Sequence, residues 1–120
     1  MLYIGFALTI LLAGLNFLGQ FLYLYWIYWW FDVLMHLLAG LAGGATAYGV
    51  LSRLGRVSVG RVVWCFVTVA IAWEIFEYVY DIAVTQGSYT LDTISDILLG
   101  ILGALISSIV GAKREKRELI

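Results

Sequence analysis

FDVLMHLLAGLAGG, residues 31–44, opens an apolar run with Asp32 and places His36 four positions further in. One charge at the mouth of such a segment is common. A second ionisable group one turn deeper lies on the same stripe, because positions i and i+4 share a helix face. It requires polar neighbours, and the question is what it meets there.

The chain has 120 residues, of which 63% are hydrophobic and 12% charged, with no proline. Soluble domains carry about 25% charged residues, so water cannot be the solvent for most of this surface. Lipid must cover it. Nucleic-acid binding has no support, since the basic clusters are short and flank helices. The single Cys65 rules out an intramolecular disulfide. The first segment reads as a retained helix: no Lys or Arg precedes it, and bulky aromatics follow where cleavage-site residues would be small.

About 20 apolar residues span the hydrocarbon core. Four such segments are predicted, at about 2–24, 33–52, 61–84 and 92–111, followed by a charged tail at 113–120. Backbone groups in lipid must be satisfied within each segment. The spans lack the period-two alternation of a β-barrel. The expected fold is therefore all-α: an antiparallel four-helix bundle in residues 1–112, with short connections. All seven basic residues (Arg53, Arg56, Arg61, Lys113, Arg114, Lys116, Arg117) fall on one side. The positive-inside rule makes that side, and both termini, cytoplasmic in a cell membrane. The aromatic run from Tyr25 to Phe31 lies at the opposite boundary, where such rings anchor helix ends. Gly40, Gly43 and Gly44 in the second span, and Gly100 and Gly103 in the fourth, are candidates for close helix packing within the bundle. The same faces leave a homo-oligomer open.

Six acids, Asp32, Glu74, Glu77, Asp81, Asp92 and Asp96, gather at the outer side; Glu115 and Glu118 lie in the tail. With a rise of ~1.5 Å per residue, His36, Glu77 and Asp96 lie about 6 Å below a rim set by Asp32, Asp81 and Asp92, and Glu74 about 10 Å below. Asn16 and Gln20 offer a polar pair on the first span at similar depth. Each buried carboxylate costs ~2.5–3.5 kcal/mol near the bilayer centre, so the groups are expected to face one another, His36 meeting Glu77 and Asp96. Cys65, nine residues before Glu74, should face the other way.

At an offset of 60, FDVLMHLLAGLAGG aligns with LDTISDILLGILGA, matching Asp32 with Asp92, His36 with Asp96, Gly40 with Gly100 and Gly43 with Gly103. Both spans run from outside to inside, which predicts a parallel repeat about an axis normal to the membrane. The first and third spans show no such match.

Crowded carboxylates cannot all stay ionised in a low-dielectric site without compensation. No Lys or Arg is available on that side. An oxygen-rich shell with one imidazole suits a divalent Mn, Fe, Zn or Mg ion. The expected ligands are His36, Glu74, Glu77, Asp92 and Asp96, with Asp32 and Asp81 at the rim. Such an ion, facing membrane lipids, could act on a head group or a lipid-linked phosphate. Two readings of other classes stay open: a proton or cation relay, and a structural network of carboxyl groups. No nucleophile with a paired base stands out.

The elements D-V-L-M-H, W-E-I-F-E-Y and D-T-I-S-D, with later glycines, resemble the YjdF-like small bacterial inner-membrane proteins across residues 31–105. That resemblance implies a membrane protein of four or more helices whose signature set is Asp32, His36, Glu74, Glu77, Asp92 and Asp96. It supplies no reaction. A looser similarity reaches the VanZ-like proteins, linked to glycopeptide resistance, but Glu77 and Asp96 stand where that family's pattern has Gln and Asn.

Overall fold

A computed structural model describes residues 1–80 and 88–118. Asp81 and the predicted end of the third span, residue 84, lie outside the described residues. The elements are α1 (Leu2–Phe21), α2 (Leu24–Ile27), α3 (Trp29–Arg53), α4 (Val59–Tyr80) and α5 (Tyr89–Glu118), with no strand among the described residues. Four of these helices are long and apolar enough to cross a membrane. Helix α5 runs on through the basic tail to Glu118.

The first span ends three residues earlier than expected because the aromatic run forms its own turn. Tyr23 takes a left-handed backbone (φ 57°) and starts α2, a conformation that costs a non-glycine residue roughly 1–2 kcal/mol. Ring packing holds it there: Tyr23 lies 5.6 Å from Trp26, and Tyr25 meets Phe31 edge-on at 4.9 Å. Helix α3 then begins at Trp29, so Asp32 falls in its first turn, where the helix dipole favours a carboxylate. Helix α5 begins at Tyr89 with Asp92 in its first turn. The two starts are separated by the same offset as the sequence repeat.

At its other end α3 closes on Gly55 (φ 64°), whose N–H bonds to the Ser52 carbonyl (3.0 Å) while Arg56 N–H bonds to that of Leu51 (2.9 Å). This is a Schellman stop. The Arg61 guanidinium fastens the loop by donating to the Arg56 carbonyl at 2.7 Å. Arg53, Lys116 and Arg117 occupy the last turns of α3 and α5, the favourable end of the dipole for cations.

The helices alternate in direction but do not close into a square. They form a row, with α1 against α3, α3 against α5, and α4 against α5 and, to a lesser extent, α3. Burial follows the row: 44% and 39% of the apolar stretches of α3 and α5 are buried, against 11% and 17% for α1 and α4. Glycines make the central contact. A Cβ on Gly40 would meet the backbone of Gly100, one on Gly44 would lie 2.6 Å from Ala104 Cα, and one on Gly103 would meet the Leu37 carbonyl. Gly43 and Gly100 also receive the ring of Phe66 from α4. The glycine faces are thus occupied within the chain. The contact of Gly40 with Gly100 sets α3 and α5 parallel and in register, which brings their corresponding outer residues together.

Candidate metal centre

Asp32 and His36 lie one turn apart on α3, and Asp96 comes from α5 at the level set by the Gly40–Gly100 contact. His36 Nε2 is 3.4 Å from Asp32 Oδ1 and 3.6 Å from Asp96 Oδ2. One ligand atom from each of the three residues falls within 4.8 Å of the others. The Asp96 side chain is 7% exposed, and His36 and Asp32 are 18% and 26% exposed. These separations exceed ordinary hydrogen-bond lengths. They approach the roughly 3.0–3.4 Å between ligands that each sit about 2.1 Å from a common ion.

From sequence, His36 is expected to meet Glu77 and Asp96, with Asp32 at the rim. His36 does meet Asp96, but its second neighbour is Asp32, and among the described residues it forms no ion pair with Glu77. Helical side chains lean towards the N-terminus, so the His36 ring reaches back up to the level of Asp32. Glu77 and Asp92 are half-buried and do not join the three atoms.

Glu74 is buried, but its carboxylate has another partner. Thr93 Oγ1 donates to Glu74 Oε2 at 2.9 Å, and the Tyr89 hydroxyl donates to the Glu74 backbone carbonyl at 3.2 Å. The cause is the row of helices: α4 approaches from the flank of α5, so Glu74 faces Thr93. Neither Thr93 nor Tyr89 was evident as a partner, although Thr93 sits inside the D-T-I-S-D motif. Thr93→Val should therefore strand a buried acceptor. Stability is expected to fall by about 1–3 kcal/mol in denaturant unfolding of the detergent-solubilised protein. An unchanged midpoint would mean that Glu74 has another donor.

On the first span, Asn16 Oδ1 accepts from the Tyr25 hydroxyl at 2.7 Å, and Gln20 is exposed. Helix α1 touches α3 alone among the long helices, so its polar pair does not reach the carboxylates. Tyr25 does come close. Burial, with the nearby carboxylates of Asp32 and Glu77, raises its phenol pKa above the usual tyrosine value. Cys65 is exposed on the opposite side of α4 from buried Glu74, as the helical spacing predicted.

Deeper hydroxyls are engaged by backbone carbonyls. Ser107 donates to the Leu41 carbonyl (2.8 Å), Ser108 to that of Ala104 (2.9 Å), and Thr68 to that of Trp64 (2.9 Å). A groove of about 310 Å³ opens between α4 and α5. Ile71, Ile75, Tyr78 and Ile97 line it, together with Glu74 and Thr93.

Fold and site together define a polytopic helical membrane protein with a part-buried His/Asp centre at the end of the bundle opposite its basic residues. The model of one family, described as "Predicted membrane protein (DUF2238)", matches residues 1–117. The chain belongs to that family, and the match takes in α1 as well as the three helices that carry the acidic motifs. No curated protein and no solved structure matches it.

Proposed function

We propose that Asp32, His36 and Asp96 hold a divalent cation, one of Mn, Fe, Zn or Mg, at the outer face of the cell membrane. The observation that carries this reading is the convergence of one imidazole and two carboxylates from two helices at separations wider than hydrogen bonds. Glu77 and Asp92, half-buried on α4 and α5, would add negative charge around the cation. Glu74 is held away by Thr93 and acts as a neighbouring charge.

An ion in this position supplies Lewis-acid polarisation of a phosphate oxygen and an activated water. The substrate class is a lipid head group or a lipid-linked phosphate. The groove between α4 and α5 supports it, because Ile71, Ile75 and Ile97 give it an apolar lining suited to an acyl or polyprenyl chain. Relay of protons or ions across the bilayer fits less well, since Ser107, Ser108 and Thr68 bond to backbone carbonyls. Within its family, the D-x-x-x-H, E-x-x-E and D-T-x-x-D elements support reading the chain as YjdF-like.

The test is elemental analysis of the detergent-purified protein beside Asp96→Asn and Glu77→Gln. About one equivalent of metal is expected in the wild type. Asp96→Asn should lose it at least tenfold, and Glu77→Gln should weaken it less, as removal of a supporting group does. No metal after incubation with Mn, Zn, Fe and Mg salts would reject the site and leave a carboxyl–imidazole network.

A further inference from the structure

At the basic end of the bundle, far from the His/Asp centre, the start of α1 and the ends of α3 and α5 enclose a cavity of about 200 Å³. Tyr48, Ser52, Arg53, Arg114 and Glu115 line it. Glycines shape it. Gly49 admits Leu2 of α1, and Gly111 lets the buried Tyr48 ring lie flat on α5, where a Cβ would approach it to 2.7 Å. The Tyr48 hydroxyl is thereby carried one turn on, to Glu115 Oε2 at 2.9 Å, while Ser52 Oγ donates to Oε1 of the same carboxylate.

Glu115 contradicts its surroundings. It stands in KREKR, near a helix C-terminus, where the dipole disfavours an anion. A residue that breaks a local rule while its neighbours are arranged to hold it marks a functional position more often than a packing one. Two hydroxyls orient the carboxylate without cancelling its charge. Arg53 and Arg114 line the same space, and guanidinium groups offer fork-shaped donors that match phosphate oxygens.

We propose that this cavity binds the head group of an aminophospholipid, with its phosphate on Arg53 and Arg114 and its primary ammonium on Glu115. The depth suits a lipid, because basic residues at helix ends mark the cytoplasmic head-group layer. The size suits a head group alone: small-molecule pockets run from about 300 Å³ upward, and here the acyl chains remain in the bilayer. A carboxylate fixed by two hydroxyls selects a cation that can donate hydrogen bonds, which a quaternary ammonium cannot do.

Native mass spectrometry of the full chain, released from detergent with equimolar phosphatidylethanolamine, phosphatidylcholine and phosphatidylglycerol of matched chains, tests this. Phosphatidylethanolamine adducts are expected to exceed phosphatidylcholine adducts several-fold. Glu115→Gln, which keeps the shape and an acceptor for Tyr48, should bring that ratio close to one. Arg53→Gln with Arg114→Gln should lower adducts of all three lipids. Equal retention of phosphatidylethanolamine and phosphatidylcholine by the wild type overturns the proposal without reference to any variant. So does a preference that survives Glu115→Gln, or phosphatidylglycerol exceeding phosphatidylethanolamine. Soluble phosphoethanolamine competing at equal concentration would overturn the assignment to a lipid.

Discussion

Gly40→Val will separate α3 from α5 and disable the metal centre with them. A Cβ at Gly40 would fall on the Gly100 peptide, 2.7 Å from its carbonyl carbon. The obstacle is backbone, so no rotamer change relieves it. Overpacking a well-filled core costs roughly 1–3 kcal/mol, and a clash with backbone at the central helix contact should reach about 3 kcal/mol or more. The Phe66 ring, which fills the space at Gly43 and Gly100 from α4, would be displaced as well. His36 and Asp96 sit on opposite sides of this contact, so a shift of one helix widens their separation and metal content should fall in parallel. Gly14→Val at an equally apolar position is the control, since nothing lies within 4 Å of the Cβ it would carry. Gly14→Ala should go the other way, gaining up to about 1 kcal/mol of helix propensity. Unfolding midpoints and metal content of the three variants check this. A Gly40→Val protein that unfolds and binds metal like the wild type would show that α3 and α5 do not meet as described.

The features that sequence made readable are those governed by period and composition. Span number follows from apolar length, and the repeat from matched positions in FDVLMHLL and LDTISDIL. Because the repeat is parallel, its matched positions alone bring His36 and Asp96 together. What stayed hidden depends on how helices lean and which flanks meet. Asp32 joins the centre because helical side chains tilt towards the N-terminus, which a count of rise per residue ignores. Glu74 meets Thr93 because α4 approaches from the flank of α5, and no pattern within either helix records that. The left-handed Tyr23 was hidden for another reason: glycine or asparagine usually marks such a turn, whereas here ring packing holds a tyrosine in it. Glu115 is legible only as one acid among bases until Tyr48 and Ser52 are seen to hold it.

Divalent metal in excess will stabilise the wild type and leave Asp96→Asn unmoved. A ligand that binds only the folded state adds about 2.7 kcal/mol at a hundredfold excess over its dissociation constant. The apo protein should show the opposite order. Asp32 and Asp96 flank one imidazole, Glu77 and Asp92 lie nearby, and no Lys or Arg occurs in sequence at that end. Like charges so placed repel in a medium of low dielectric, so removing the Asp96 charge should leave the metal-free protein as stable or more stable. Sites strained for function commonly behave this way. A purely structural network requires the reverse: loss of Asp96 would leave His36 short of a partner and lower stability by about 1–3 kcal/mol, with or without metal. Unfolding of both proteins in chelator and in excess Mn or Zn separates the two. The sign of the Asp96→Asn effect in chelator decides between a site built to hold a cation and a network built to hold the helices.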